Sequence, residues 1–176
     1  PPPLPSITQI RFMGGDLMEK ISGGMVIHYK ATSYMMLDVL FHLGKIFRTL
    51  RKIKSEIRRW QPDVVIPVDY PGFNIRFAET AKNCGIPVVY FISPKVWAWK
   101  AGRIRKLASW CSKMLVFFEF ELDVYKGSGL ETVLVGHPLV KELEPFRTDK
   151  ERFRKELKLS PDKPLVGLIP GSRERE

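Results

Sequence analysis

Val64-Val65-Ile66-Pro67-Val68-Asp69-Tyr70-Pro71-Gly72-Phe73-Asn74 changes its period in the middle. The first five residues form a short continuous apolar run of the buried-strand type. From residue 73 to residue 83 the pattern is helical, and Gly85 follows as a residue suited to the left-handed position after a helix. A strand feeding a helix is half of a parallel crossover unit, so its neighbours should repeat the alternation. They do so: residues 87–92 read as a strand, 102–110 as a short basic helix, 113–118 as a strand, 119–126 as a helix and 131–135 as a strand. Parallel pairing through right-handed crossovers follows. The expected fold is α/β, a Rossmann-like parallel sheet with helices on both faces.

Towards the start of the chain, Met36, Val39, Leu43, Ile46, Leu50, Ile53, Ile57 and Trp60 recur at steps of three and four. That predicts one long helix over 33–60, stopped by Pro62. Its first half is apolar nearly all round. Its second half sets Lys45, Arg48, Arg51, Lys52, Lys54, Arg58 and Arg59 against Glu56 alone. The apolar part is too short to span a bilayer. An apolar patch beside a cationic face suits the membrane interface, and it equally suits a core helix with a solvated face. Before this helix the pattern is weak: Ile7 to Met13 could be a strand, and Gly14-Gly15 and Gly23-Gly24 punctuate short apolar pieces.

Towards the other end, residues 137–148 read as a linker with Pro138 and Pro145. A helix is expected over 149–159 and a buried strand over 165–169. Two domains are therefore expected, 1–145 and 146–176, the second only begun. The chain lacks a starting methionine and stops within Gly171-Ser172-Arg173, so it reads as a fragment.

With 44% hydrophobic residues an ordinary packed core is available and wholesale disorder is excluded. Lysine and arginine total 29 against 19 acids, a net charge of +10, which favours a polyanionic partner without choosing among nucleic acid, anionic lipid and phosphorylated substrate. Cys84 and Cys111 do not have zinc spacing, and His28, His42 and His137 are too scattered to complete a site. Buried thiols in a reducing compartment are the plain reading. Residues 1–5 carry neither a charged leader nor an apolar stretch, so no secretory signal is expected there.

Ligands of parallel α/β sheets bind beyond the carboxyl ends of the strands. Asp69 follows a strand directly; it could serve as a general base, orient a hydroxyl, or cap the next helix. Ser93-Pro94-Lys95-Val96-Trp97-Ala98-Trp99-Lys100, with Gly102-Arg103, sets two indoles among cations. That arrangement suits sugar rings, acyl chains or stacked bases, and equally a structural loop whose indoles fill the edge of the core. His137, in Val135-Gly136-His137-Pro138-Leu139, could shuttle a proton or be structural. Gly171-Ser172-Arg173 offers amides, a hydroxyl and a guanidinium to a phosphate, although most Gly-Ser turns bind nothing.

Together these segments resemble the lipid-A-disaccharide synthases, a GT-B glycosyltransferase family. The carrying residues are Pro67 to Asn74, Tyr90 to Lys100, Val135 to Leu139, and Leu168-Ile169-Pro170-Gly171-Ser172-Arg173, with Arg11-Phe12-Met13-Gly14-Gly15-Asp16-Leu17-Met18 near the start. Ser-Pro-x-Val-Trp-Ala-Trp is the specific piece. The resemblance implies the N-terminal half of a GT-B two-domain fold. It also implies an inverting hexosyltransferase of lipid A biosynthesis in Gram-negative bacteria, joining UDP-2,3-diacylglucosamine to 2,3-diacylglucosamine 1-phosphate (lipid X). No cofactor or metal is implied. On this reading Asp69 is the catalytic candidate, and Asn74, Ser93, Trp97, Trp99, Arg103 and His137 contact substrate. Gly171, Ser172 and Arg173 hold the diphosphate. Met35, Met36, Val39, Leu40, Leu43, Phe47, Arg48, Arg51 and Lys52 dock on an anionic membrane. The protein would be cytoplasmic and peripheral on the inner face of the inner membrane, with no nucleic-acid partner.

Two departures stand out. Many members have Asp where this chain has Gly72, which opens a second candidate for the base. The family's opening Gly-Glu-x-Ser-Gly-Asp loop is absent, as is nearly all of the uridine-binding domain, so this chain is expected to be inactive alone. The rival readings are a GT-B-type UDP-sugar epimerase and a basic nucleic-acid-binding domain. The first would not need the apolar, cationic helix. The second would bind strands with a steep salt dependence.

Overall fold

The computed structural model describes residues 9–22, 24–28, 43–95, 102–147, 150–160 and 163–168. The chain divides into two compact units, residues 1–135 and 136–176. The division falls before Gly136, ahead of the expected 145/146 boundary, and the short helix that follows belongs to the second unit.

The first unit opens with β1 (Phe12–Gly14), α1 (Asp16–Ser22) and β2 (Met25–His28). β1 and β2 pair in parallel with α1 between them, a crossover unit in the region where the sequence pattern was weakest. Gly24 lets the strands meet, because a Cβ there would lie 1.7 Å from the Ile10 carbonyl oxygen. Arg11 ties this layer to the next helix, α2 (Leu43–Trp60). Its guanidinium bonds Glu56 Oε2 at 3.1 Å and lies 5.0 Å from the centre of the Trp60 ring. In α2, Leu50 and Ile57 are buried and Ile53 is half-buried, while Arg48, Arg51, Lys52 and Arg58 are exposed. The three-and-four spacing thus faces the core, and the charge faces water.

The second sheet is wholly parallel. β3 (Val89–Phe91), β4 (Lys113–Val116) and β5 (Glu131–Leu134) lie in that order. Residues 64–68, expected as a strand, join β3 only through bridges at Val65–Val88 and Val68–Phe91. The reason is Pro67. The ladder runs Val65 N–H to Pro87 O, Val89 N–H to Val65 O, Phe91 N–H to Pro67 O and Asp69 N–H to Phe91 O, at 2.8–3.0 Å. The bond missing from that series is the one a residue-67 N–H would give, and proline has none. An apolar groove of about 490 Å³ separates this segment from β1.

α3 (Pro71–Asn83) begins with proline in its first turn, where no N–H is needed and φ is already helical. It ends in a Schellman motif at the expected glycine. Gly85 has φ 75°, Ile86 N–H bonds Ala81 O, and Gly85 N–H bonds Lys82 O, each at 3.0 Å. α4 (Gly102–Trp110) has the expected bounds, and α5 (Phe120–Tyr125) follows β4. α3 packs on both α2 and α4. Ile57, Ala78, Ala81, Val88, Tyr90, Leu107, Met114 and Val116 make one core between the sheet and these helices. In β4 burial alternates, Met114 and Val116 inward, as the period-two geometry of a strand requires.

The second unit holds α6 (Pro138–Leu143), a 3₁₀ turn (Glu144–Phe146) and α7 (Lys150–Glu156). The described part of residues 137–148 is therefore largely helical rather than a linker. His137 Nδ1 accepts the Leu139 N–H at 3.2 Å, and Pro138 fills the first helical position. The strand expected over 165–169 does not form in its described part. Val166 and Leu168 are 87% and 90% exposed, and no strand pairs with them among the described residues.

Candidate functional site

Asp69 lies where the 64–68 segment leaves the sheet, on the carboxyl side of the parallel ladder. It and Tyr70 are consecutive left-handed residues, with φ 46° and 43°. Each such residue costs on the order of 1–3 kcal/mol and persists only where its surroundings enforce it. Here three side-chain bonds do so. Asn74 Nδ2 donates to the Val68 carbonyl at 2.9 Å and also to the Asp69 carbonyl, and Tyr90 Oη donates to the Asp69 carbonyl at 2.8 Å. The Asp69 side chain is exposed. It caps nothing, because α3 has Tyr70 as its N-cap and no side-chain cap bond. The capping alternative falls away, and an exposed carboxylate on a clamped turn remains.

Asn74 is 7% exposed, and its amide is engaged by backbone carbonyls. Its place is beneath the turn, positioning Asp69. Ser93, at the end of β3, is also turned inward. It is 5% exposed and its hydroxyl pairs with Tyr125 Oη at 2.9 Å. Ile92, just before it, has φ 69°, unusual for a β-branched residue. The bridged 64–68 segment and β3 thus both lead into left-handed backbone at the same carboxyl end of the ladder. At the end of β4, buried Glu121 accepts the Phe117 and Phe118 N–H groups, both at 3.1 Å.

Burial pushes the Cys111 thiol from 9.0 up to about 12. Burial likewise raises the Tyr125 phenol from 10.0 to about 12, against the opposing Ser93 hydrogen bond. Tyr90 is raised too, by burial first and then by the Asp69 charge. These groups are held neutral in the fold, while the unfolded chain ionises at the lower values. Their contribution to stability is therefore complete below pH 9 and is lost as pH climbs towards about 12. Urea midpoints followed by circular dichroism should fall steadily above about pH 9. A midpoint constant to about pH 11 would contradict this.

Beside the Asp69 turn, α3 and α4 flank a cavity of about 740 Å³. α3 contributes Pro71, Gly72, Ile75 and Arg76, and α4 contributes Gly102, Arg103, Lys106 and Trp110. On α4 the positions are i, i+3 and i+7 from Arg103, so one helix face supplies two cations and an indole. Of these residues only Arg103 was expected from sequence to contact substrate. The helical spacing of Lys106 and Trp110 was available in the sequence, but their meeting with Arg76 was not.

The remaining candidates are spread out. His137 caps α6 in the second unit. On α2, Phe47 is 50% exposed and 5.7 Å from the Arg76 guanidinium, Arg48 and Arg51 are exposed, and Lys52 Nζ bonds the Val26 carbonyl at 3.3 Å. Leu43 is the first residue of α2. Trp97, Trp99, Gly171, Ser172, Arg173, Met35, Met36, Val39 and Leu40 lie outside the described residues. Among the described residues no helix is long and apolar enough to cross a membrane.

A family model described as lipid-A-disaccharide synthetase matches residues 5–176. The lipid-A-disaccharide synthase of Coxiella burnetii (strain Dugway 5J108-111) is 37% identical over 165 residues, 93% of this chain and 44% of the relative. That of Syntrophotalea carbinolica is 36% identical over 166 residues, 93% of this chain and 42% of the relative. That of Geobacter metallireducens is 40% identical over 141 residues, 80% of this chain and 36% of the relative. The chain thus spans less than half the length of these curated relatives. On the strength of the family match and these relatives, the chain belongs to the lipid-A-disaccharide synthetase family.

Proposed function

We propose that this chain is the acceptor-side half of an inverting glycosyltransferase that joins UDP-2,3-diacylglucosamine to lipid X. The observation that carries the reading is an exposed carboxylate on a strained, clamped turn beside a cationic cavity, in a chain of this family. Asp69 takes the proton of the acceptor 6-hydroxyl. That oxygen bonds the anomeric carbon from the face opposite UDP, the bond from carbon to UDP oxygen breaks, and its electron pair leaves with the diphosphate. A base and preorganised positive charge are the two contributions such a displacement needs. Arg173, with the Gly171 and Ser172 amides, is the candidate for the departing diphosphate, and Trp97, Trp99 and Arg103 for the acceptor side. Residues 146–176 begin the nucleotide-sugar domain on this reading.

The test is sugar transfer by this chain extended to its relatives' full length, with the 176-residue chain alongside. Transfer by the extended protein and none by the short chain is the expected result. Epimerisation of the UDP-sugar without transfer would replace this reading with the rival one.

Substrates carrying acyl chains place the enzyme at a bilayer surface, on the cytoplasmic face. The exposed Phe47, Arg48 and Arg51 of α2 form the contact, joined by Met35, Met36, Val39, Leu40 and Leu43. Each basic group near anionic lipid contributes about 1 kcal/mol. Arg48→Ala with Arg51→Ala should therefore weaken binding to phosphatidylglycerol vesicles by about 30-fold and leave neutral vesicles unaffected. Equal sedimentation of variant and parent with anionic vesicles would remove α2 from the contact.

A further inference from the structure

We propose that the cavity between α3 and α4 is a phosphomonoester site, in which Arg76, Arg103 and Lys106 take the phosphate and Trp110 packs on the attached sugar ring. Three cations line this one space, and no acidic side chain among the described residues lies there with them. None of the three forms an ion pair with a carboxylate among the described residues, although Glu56, Glu131 and Glu156 each hold a basic partner elsewhere. Such a cluster repels itself, and a bound dianion relieves that repulsion. Guanidinium groups from two different helices approach one phosphate from different directions, which a single helix face cannot arrange.

The first turn of α3 adds to this. Pro71 and Gly72 open a helix with no side-chain cap, and the space beyond Gly72 is empty, with no atom within 4 Å of where its Cβ would be. The phosphate would meet the positive end of a 13-residue helix there. Trp110 completes the set, because an indole wall beside cations fits a sugar face better than a bare phosphate.

The identity of the sugar phosphate rests on the synthase reading, in which it is the 1-phosphate end of the acceptor. Asp69 precedes Pro71 and Gly72, which line the cavity, by two and three residues. Holding the phosphate here would orient the 6-hydroxyl towards Asp69, the positioning that makes a displacement effectively unimolecular.

The test titrates the 176-residue chain with glucosamine 1-phosphate, inorganic phosphate and glucosamine, followed by calorimetry. The variants are Arg76→Gln with Lys106→Gln, Arg76→Lys and Trp110→Phe. Arg76 and Lys106 are exposed, so the variants should fold, which circular dichroism checks. Saturable binding of glucosamine 1-phosphate, competed by phosphate and absent for glucosamine, is the expected result. The double variant should bind at least tenfold more weakly, since hydrogen bonds to charged groups are lost. Arg76→Lys should retain part of the affinity, and Trp110→Phe should lose preference for the sugar phosphate over inorganic phosphate. Unchanged binding in the double variant would overturn the proposal. So would a double variant that loses only phosphatidylglycerol-vesicle binding, because the cations would then serve a lipid surface. In the extended protein the double variant should raise the KM for the phosphorylated acceptor and leave that for a dephosphorylated acceptor unchanged. Transfer with an unaltered acceptor KM removes the site and keeps the synthase. Sugar-phosphate binding without any transfer keeps the site and removes the synthase.

Discussion

Asp69→Asn in the extended protein should lower kcat for the proposed transfer by about 10²–10⁴-fold, the usual contribution of a general base, with acceptor KM nearly unchanged. The substitution isolates one property. Asparagine is nearly the same shape as aspartate and is among the few residues that tolerate left-handed backbone, so φ 46° is retained. The clamp bonds from Asn74 and Tyr90 act on the residue-69 carbonyl, which the substitution does not touch. The negative charge and the ability to accept a proton are lost while the backbone is kept. Steady-state transfer kinetics for variant and parent decide the matter. A full rate in the variant would move the base to another acid. An unchanged kcat with a raised KM would make Asp69 a binding group instead.

Much of this architecture was legible in sequence wherever a local rule acted alone. The change of period at residues 64–74, Pro71 at a helix start, Gly85 after its end and the bounds of α4 need only backbone preferences and three-and-four spacing. The misreadings have a common cause. Residues 165–169 look like a strand, but an apolar run becomes one only when a neighbour supplies its hydrogen bonds. Residues 137–148 carry two prolines and look like a linker, yet Pro138 is at the one helical position that accepts it. Asn74 and Ser93 are polar residues at strand ends, the positions where ligand contacts concentrate. Ser93 is turned inward by Tyr125, 32 residues away in sequence, and Asn74 by the carbonyls of a left-handed turn that Tyr90 also holds. The cationic cavity was invisible for the same reason, because Arg76 and Lys106 are brought together only by the packing of α3 on α4.

Leu107→Ala and Asn74→Ala should separate stability from function in opposite ways. Leu107 is fully buried in the core on α4. Truncating it loses transfer energy and leaves a cavity, together about 2–5 kcal/mol. It takes no part in the hydrogen bonds that hold the Asp69 turn, so the molecules that stay folded should keep most of their rate. Asn74→Ala removes the hydrogen bonds to the Val68 and Asp69 carbonyls, about 0.5–1.5 kcal/mol net for each. Part of even that is returned, because releasing the left-handed pair at Asp69 and Tyr70 relieves strain. The Asp69 carbonyl keeps Tyr90, so the turn loosens without collapsing. The smaller loss of stability should therefore accompany the larger loss of activity. Urea denaturation of the 176-residue chain gives the first ranking, and kcat of the extended protein below both melting temperatures gives the second. If Leu107→Ala lowers kcat as much as Asn74→Ala does, the turn is not specially positioned by Asn74 and depends on the core as a whole. If Asn74→Ala keeps full kcat, the strained pair holds itself in place, and Tyr90 alone is enough to aim the carboxylate.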